Sequence, residues 1–112
     1  MKYLKKESSI KFKKETFTSY EYPLKDKDLD GAIVEINGRY PEVGWSHNTI
    51  CKELFYLIKG SAILTTKTES LSLSEGDMAM VDILENYYWN GDCTLLVSCT
   101  PAWSLEQTKN TK

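Results

Sequence analysis

Imidazole is the scarcest chemistry in this chain: 112 residues contain one histidine, His47, and one arginine, Arg39. Most acid–base and metal chemistry at neutral pH leans on imidazole. A single histidine excludes a multi-histidine metal centre within one chain. It equally excludes a Ser-His-Asp triad accompanied by a second catalytic histidine. Cysteine is sparse too. Three residues with no C-x-x-C spacing indicate neither a disulfide framework nor a zinc knuckle. No apolar run approaches the ~18–20 residues that a membrane span needs. The amino-terminal lysines are not followed by an apolar block, so no secretory signal is expected. Neither sign of charge dominates: 14 basic residues stand against 16 acidic ones. That balance argues against a nucleic-acid binder, whose domain is normally strongly basic. These absences predict a soluble protein of the reducing cytoplasm, with no nucleic-acid partner and no membrane partner.

What is present suffices for one domain. Hydrophobic residues make up 41% of the chain and aromatics 12%, at a length that suits one domain rather than two. Charge is uneven along it. Residues 1–15 hold six Lys and two Glu, a net of +4, so the remaining 97 residues carry −6. Such a segment reads as a solvated leader anchored through Ile10, Phe12 and Phe17 rather than as a polyanion-binding arm. Residues 104–112 are polar and are expected to fray. The expected division is a basic leader with strands over 1–30, a barrel over 31–107 and a polar tail over 108–112.

Between the ends the pattern is β. Apolar runs at 32–37, 53–59, 61–66, 78–81 and 94–100 are separated by Gly60, by Glu75-Gly76-Asp77 and by Asn90-Gly91-Asp92. Short strands at roughly 8–12-residue spacing, divided by such turns, mark an all-β sandwich or barrel. In the run ELFYLIK, Glu53, Phe55 and Leu57 share one face, and Leu54, Tyr56 and Ile58 share the other. Both faces are apolar, so this strand is expected to be covered on both sides. One cover is the barrel interior. The other is a second copy of the chain, with residues 10–22 as the rival, and a homodimer is the expected state.

The segment from His47 to Gly60 resembles the first motif of the cupin superfamily: His-x-His, three or four residues, Glu, six residues, Gly. His47 stands at the first histidine, Thr49 at the second, Glu53 at the glutamate and Gly60 at the glycine. Gly76-Asp77 resembles the start of the second motif, in which Tyr87 occupies the histidine position. The resemblance spans residues 31–107. It implies a double-stranded β-helix, the jelly-roll barrel. It does not carry over the metal, because only His47 and Glu53 match the four ligands of metal-binding cupins. No cofactor is expected, and a divalent ion at His47 and Glu53 would be weakly held.

The expected function is binding of a small molecule inside the barrel. The alternative is a sugar or small-carbonyl isomerase, epimerase or lyase. In that case His47 is the general base and Glu53 or Tyr87 its proton partner. Glu53, beside Phe55 and Leu57, is expected to be desolvated and hence suited to proton transfer. Trp45, Phe55, Tyr88 and Trp89 are the expected ligand contacts, since amphipathic aromatics offer flat apolar area with a polar tip. A third reading has the barrel closed by Tyr87, Phe55 and Met80 filling the interior.

Overall fold

A computed structural model describes residues 1–111. Nine strands account for nearly all regular structure: β1 (Ile10–Lys14), β2 (Phe17–Glu21), β3 (Ala32–Tyr40), β4 (Trp45–Asn48), β5 (Lys52–Thr66), β6 (Ser70–Ser74), β7 (Met78–Val81), β8 (Tyr87–Thr100) and β9 (Thr108–Thr111). Helix is confined to two single 3-10 turns, Lys6–Ser8 and Leu105–Gln107. All pairing is antiparallel. The path β1-β2-β3-β8-β4-β9 joins β5 through β8, and β5 carries β6 and β7 on its other edge. The all-β jelly-roll barrel expected from strand spacing is the fold found.

The two long strands build the body. β5 and β8 pair from Lys52↔Thr100 to Thr66↔Tyr87, with one irregularity between Leu57 and Lys59. An extra residue in one strand bends it, and the bend lets the sheet curl. Gly60 follows at once with φ +85, and a Cβ there would lie 2.2 Å from the Asp92 carbonyl oxygen. The glycine that follows Glu53 after six intervening residues is thus required by a left-handed backbone pressed against the neighbouring strand. Inside the curl, Phe55, Leu57 and Leu64 of β5 meet Trp89, Leu95 and Val97 of β8, with Val34 and Ile36 of β3 alongside.

Both chain ends belong to the barrel rather than flanking it. β1 and β2 extend the sheet beyond β3, and β9 pairs with β4. The tail expected to fray therefore forms a strand over 108–111, because Thr108 and Asn110 have inward partners that a polar composition alone does not disclose. Residue 112 lies outside the described residues. The N-terminal strands do not cover the outer face of β5. Leu54, Tyr56 and Ile58 stay 40, 38 and 44% exposed. Met80 and Ser98 flank Leu54, and Met78 and Leu96 flank Tyr56, so the apolar patch crosses three strands. Met80, expected as a possible filler of the interior, faces outward at 57% exposure. Among the described residues no helix is long and apolar enough to cross a membrane.

Candidate functional site

The barrel is open. A cavity of about 460 Å³ occupies its interior, within the size range of small-molecule sites. Its walls are mostly apolar: Val34, Ile36, Leu95 and Val97 on one side, Phe55 and Trp89 on another. Phe55 and Trp89 meet edge to face with centroids 5.1 Å apart. Phe17 stacks on Tyr40 at 4.6 Å. The reading in which side chains fill the interior is overturned by this space.

Glu53 is the polar centre of the cavity, 8% exposed. Its Oε1 accepts hydrogen bonds from Tyr87 Oη and from Asn48 Nδ2, each at 2.5 Å. Oε2 has Cys99 Sγ at 3.7 Å, a weak partner. Burial pushes the Glu53 carboxyl above its ordinary value of 4.5, against the opposing effect of Tyr87, Asn48 and Cys99. Burial wins because removing a carboxylate from water costs more than two neutral donors return. With Oε1 accepting twice, Oε2 is the oxygen free to take up a proton and to meet a ligand. Burial and the Glu53 charge likewise hold the Tyr87 phenol well above 10, so it stays a donor.

A chain of hydrogen bonds sets this arrangement from behind. Trp103 Nε1 donates to Thr108 Oγ1 at 2.6 Å, and Thr108 Oγ1 donates to Asn48 Oδ1 at 2.7 Å. With its oxygen engaged, the Asn48 amide must turn its NH2 toward Glu53. β9 therefore orients the residue that holds the acid. Asp30 anchors the other side, its carboxylate accepting from the backbone N–H of Cys99 at 2.9 Å and of Trp103 at 2.8 Å.

Glu53, Tyr87, Phe55 and Trp89 are brought together as expected. His47, Trp45 and Tyr88 are not. On β4 the inward positions are Ser46 and Asn48, both buried, and strand alternation turns Trp45 and His47 the other way. His47 does not line the cavity, and its Nδ1 is buried without a protein partner. Trp45 and Tyr88 pack edge to face at 5.2 Å on the outside. Arg39 lies over the Tyr88 ring at 3.8 Å, and Lys67 lies over Trp45 at 4.2 Å. Arg39 also donates to the Pro41 and Gly44 carbonyls, so this ladder has a structural job. Asn48, Ser46, Tyr40, Thr108 and Asn110 escape the sequence reading. The alternation of W-S-H-N was the available signal for the first two.

The metal that cupins of the ligating kind carry does not fit these residues. The inward positions of β4 offer a hydroxyl and an amide in place of imidazoles. The one central carboxyl is already engaged by neutral donors. Among the described residues no three His, Cys, Asp or Glu side chains converge. The thiols offer no nucleophile: burial pushes Cys51 and Cys99 up, and Cys93 up to about 11.

No family model and no curated protein matches the sequence. The solved structures decide the fold. Pac13 from Streptomyces, described as a nucleoside dehydratase and solved with uridine, superposes with a TM-score of 0.90 at 17% identity, over 100% of this chain and 92% of its own. The chain folds as a cupin-like barrel. The polyketide cyclase RemF from Streptomyces resistomycificus matches at 0.76 and 12% identity, over 100% of this chain and 86% of its own. KdgF from Halomonas matches at 0.69 and 17%, over 84% and 89%. At such identities the likeness is one of fold.

Proposed function

We propose that this cupin-like barrel binds a small organic molecule and that Glu53 donates its Oε2 proton to it. The observation that supports this most is a buried carboxyl whose proton affinity burial raises, beside an open cavity, with two donors already aimed at one of its oxygens. When the proton leaves, the Glu53 O–H bond breaks and the new carboxylate keeps the Tyr87 and Asn48 bonds. Those bonds strengthen as charge develops on their acceptor. Such an acid suits a lyase or isomerase step, for example protonation of a departing hydroxyl. Structural neighbours described as a nucleoside dehydratase and a polyketide cyclase are in keeping with small-molecule chemistry in this barrel. His47 has no part in the proposal, since its imidazole does not line the cavity.

The test is a cell-extract metabolite pool incubated with the parent protein and with Glu53→Gln, followed by mass spectrometry. A compound consumed by the parent, and bound without being consumed by Glu53→Gln, supports the proposal. Equal consumption by both removes Glu53 from the chemistry. Binding with no consumption by either leaves a binding module, the second reading.

The assembly belongs to the same proposal. The outer patch of Leu54, Tyr56, Ile58, Met78, Met80 and Leu96 is contiguous, and monomers seldom expose such areas. A second copy covers it, in a cytoplasmic homodimer. Light scattering should show twice the 12.8 kDa chain mass. Tyr56→Lys should return the monomer, because it places an ammonium in the middle of the patch. A parent protein that scatters as a monomer would refute the dimer.

A further inference from the structure

The inner face of β1 breaks its own pattern. In Ile10–Lys14 the alternation places Ile10, Phe12 and Lys14 on one side and Lys11 and Lys13 on the other. Phe12 and Lys14 line the cavity; Lys11 and Lys13 do not. The third inward position therefore holds an ammonium where two apolar side chains precede it. Lysines on an edge strand commonly serve as solvated guards against aggregation, a role that fits Lys11 and Lys13. Lys14 instead is the one basic residue among those lining the cavity.

Its partners inside the cavity are neutral and polar; Glu15, the neighbouring carboxylate whose charge reaches Tyr40, accepts from the Glu42 backbone N–H at 2.8 Å. With the Asn110 carboxamide oriented to satisfy both its polar atoms, Asn110 Oδ1 accepts from Lys14 Nζ at 3.2 Å. The same amide nitrogen lies 3.2 Å from Ser46 Oγ. Tyr40 lines the cavity with them, and burial pushes its phenol up to about 12, so it keeps its proton. The acids of the cavity do not neutralise this corner. Asp30 is engaged by two backbone N–H groups. Burial pushes both Glu21 and Glu53 toward their neutral forms. An ammonium and two hydroxyls around one amide, at the rim of an otherwise apolar cavity, form an arrangement with surplus donors.

We infer that Lys14, with Tyr40, Ser46 and Asn110, forms an oxyanion-binding subsite, and that the molecule taken by the barrel carries a carboxylate or phosphate beside an apolar or aromatic body. The register supplies the layout. Lys14 pairs with Phe17, Phe12 with Ser19 and Ile10 with Glu21. Successive inward rows of a strand lie ~7 Å apart. The anionic group at Lys14 is thus one row from the Phe12 ring. This inference rests on the reading of the cavity as a ligand site, but not on the proton chemistry assigned to Glu53.

The test uses three probes of one shape in calorimetric titrations at pH 7: 2-naphthoate, 2-naphthyl phosphate and neutral 2-naphthamide. At least one anion should bind the parent protein about tenfold more tightly than the amide, the scale of one charge-assisted contact. Which anion binds more tightly tells carboxylate from phosphate. Lys14→Gln should abolish that preference and leave naphthamide binding unchanged, while Lys14→Arg should keep it. Lys13→Gln, on the outward side of the same strand, should change nothing. β1 is exposed along its length, so these variants should melt with the parent. Equal binding of all three probes to the parent would overturn the subsite and leave the cavity reading standing. Equal loss of anion binding in Lys13→Gln and Lys14→Gln would do the same, pointing to general surface charge. If no probe binds, the cavity reading fails and the subsite with it.

Discussion

Replacing Glu53 by glutamine removes one titratable proton while keeping the shape of the side chain. The amide oxygen can still accept from Tyr87 and Asn48 as Oε1 does now. The thermodynamic consequence is a change in how stability depends on pH. Burial raises the folded-state pKa of Glu53 above the 4.5 of a free glutamic acid. The folded chain therefore holds this proton more tightly than the unfolded chain. The stability it contributes is fully present below about pH 4.5 and is lost as pH rises through the folded value. Each tenfold difference in proton affinity is worth about 1.4 kcal/mol. Within that window the parent should lose up to about 1.4 kcal/mol per pH unit relative to Glu53→Gln. Over one such unit the melting temperature moves by about 6 °C for a domain of this size. Every other titrating group, Glu21 included, is common to both proteins and cancels in the difference. Urea unfolding of both proteins at intervals from pH 4 to 8 measures it. Parallel curves would refute the argument, and so would a parent that gains on the variant as pH rises.

Thr108→Val should cost about 2–4 kcal/mol in urea unfolding, because Trp103 Nε1 and Asn48 Oδ1 both lose their partner; Thr108→Ser should recover most of it. Gly60→Ala should cost at least about 2 kcal/mol by the same measurement, since a Cβ meets the Asp92 carbonyl and φ is +85. Tyr88→Leu should leave probe binding in the cavity unchanged by calorimetry, because that ring packs outside against Trp45 and Arg39.

The fold was legible in the sequence for reasons that are local. Alternation in ELFYLIK separated Glu53, Phe55 and Leu57 from Leu54, Tyr56 and Ile58, and the structure buries the first set and exposes the second. Gly60 marked a place where only glycine fits. The site was half legible. Glu53 and Tyr87 could be paired through the motif resemblance, although 34 residues separate them. His47 drew attention by its rarity, yet scarcity says nothing about which way a side chain points. The period-two pattern of β4 gives the interior to Ser46 and Asn48, neighbours with less conspicuous chemistry. Thr108 and Asn110 were hidden for another reason. A short polar segment folds as a strand only because β4 supplies its hydrogen bonds, and that is long-range information.

The central claim is that ligands are taken inside the barrel at Glu53, and not on the outer aromatic face that carries His47. Magnetisation transfer from bound 2-naphthamide to assigned side chains of the protein tests it most directly. Contacts to Phe55, Tyr87 and Trp89 are expected, and they should be lost when Trp89 is replaced by alanine. Contacts confined to Trp45, His47 and Tyr88 would contradict it.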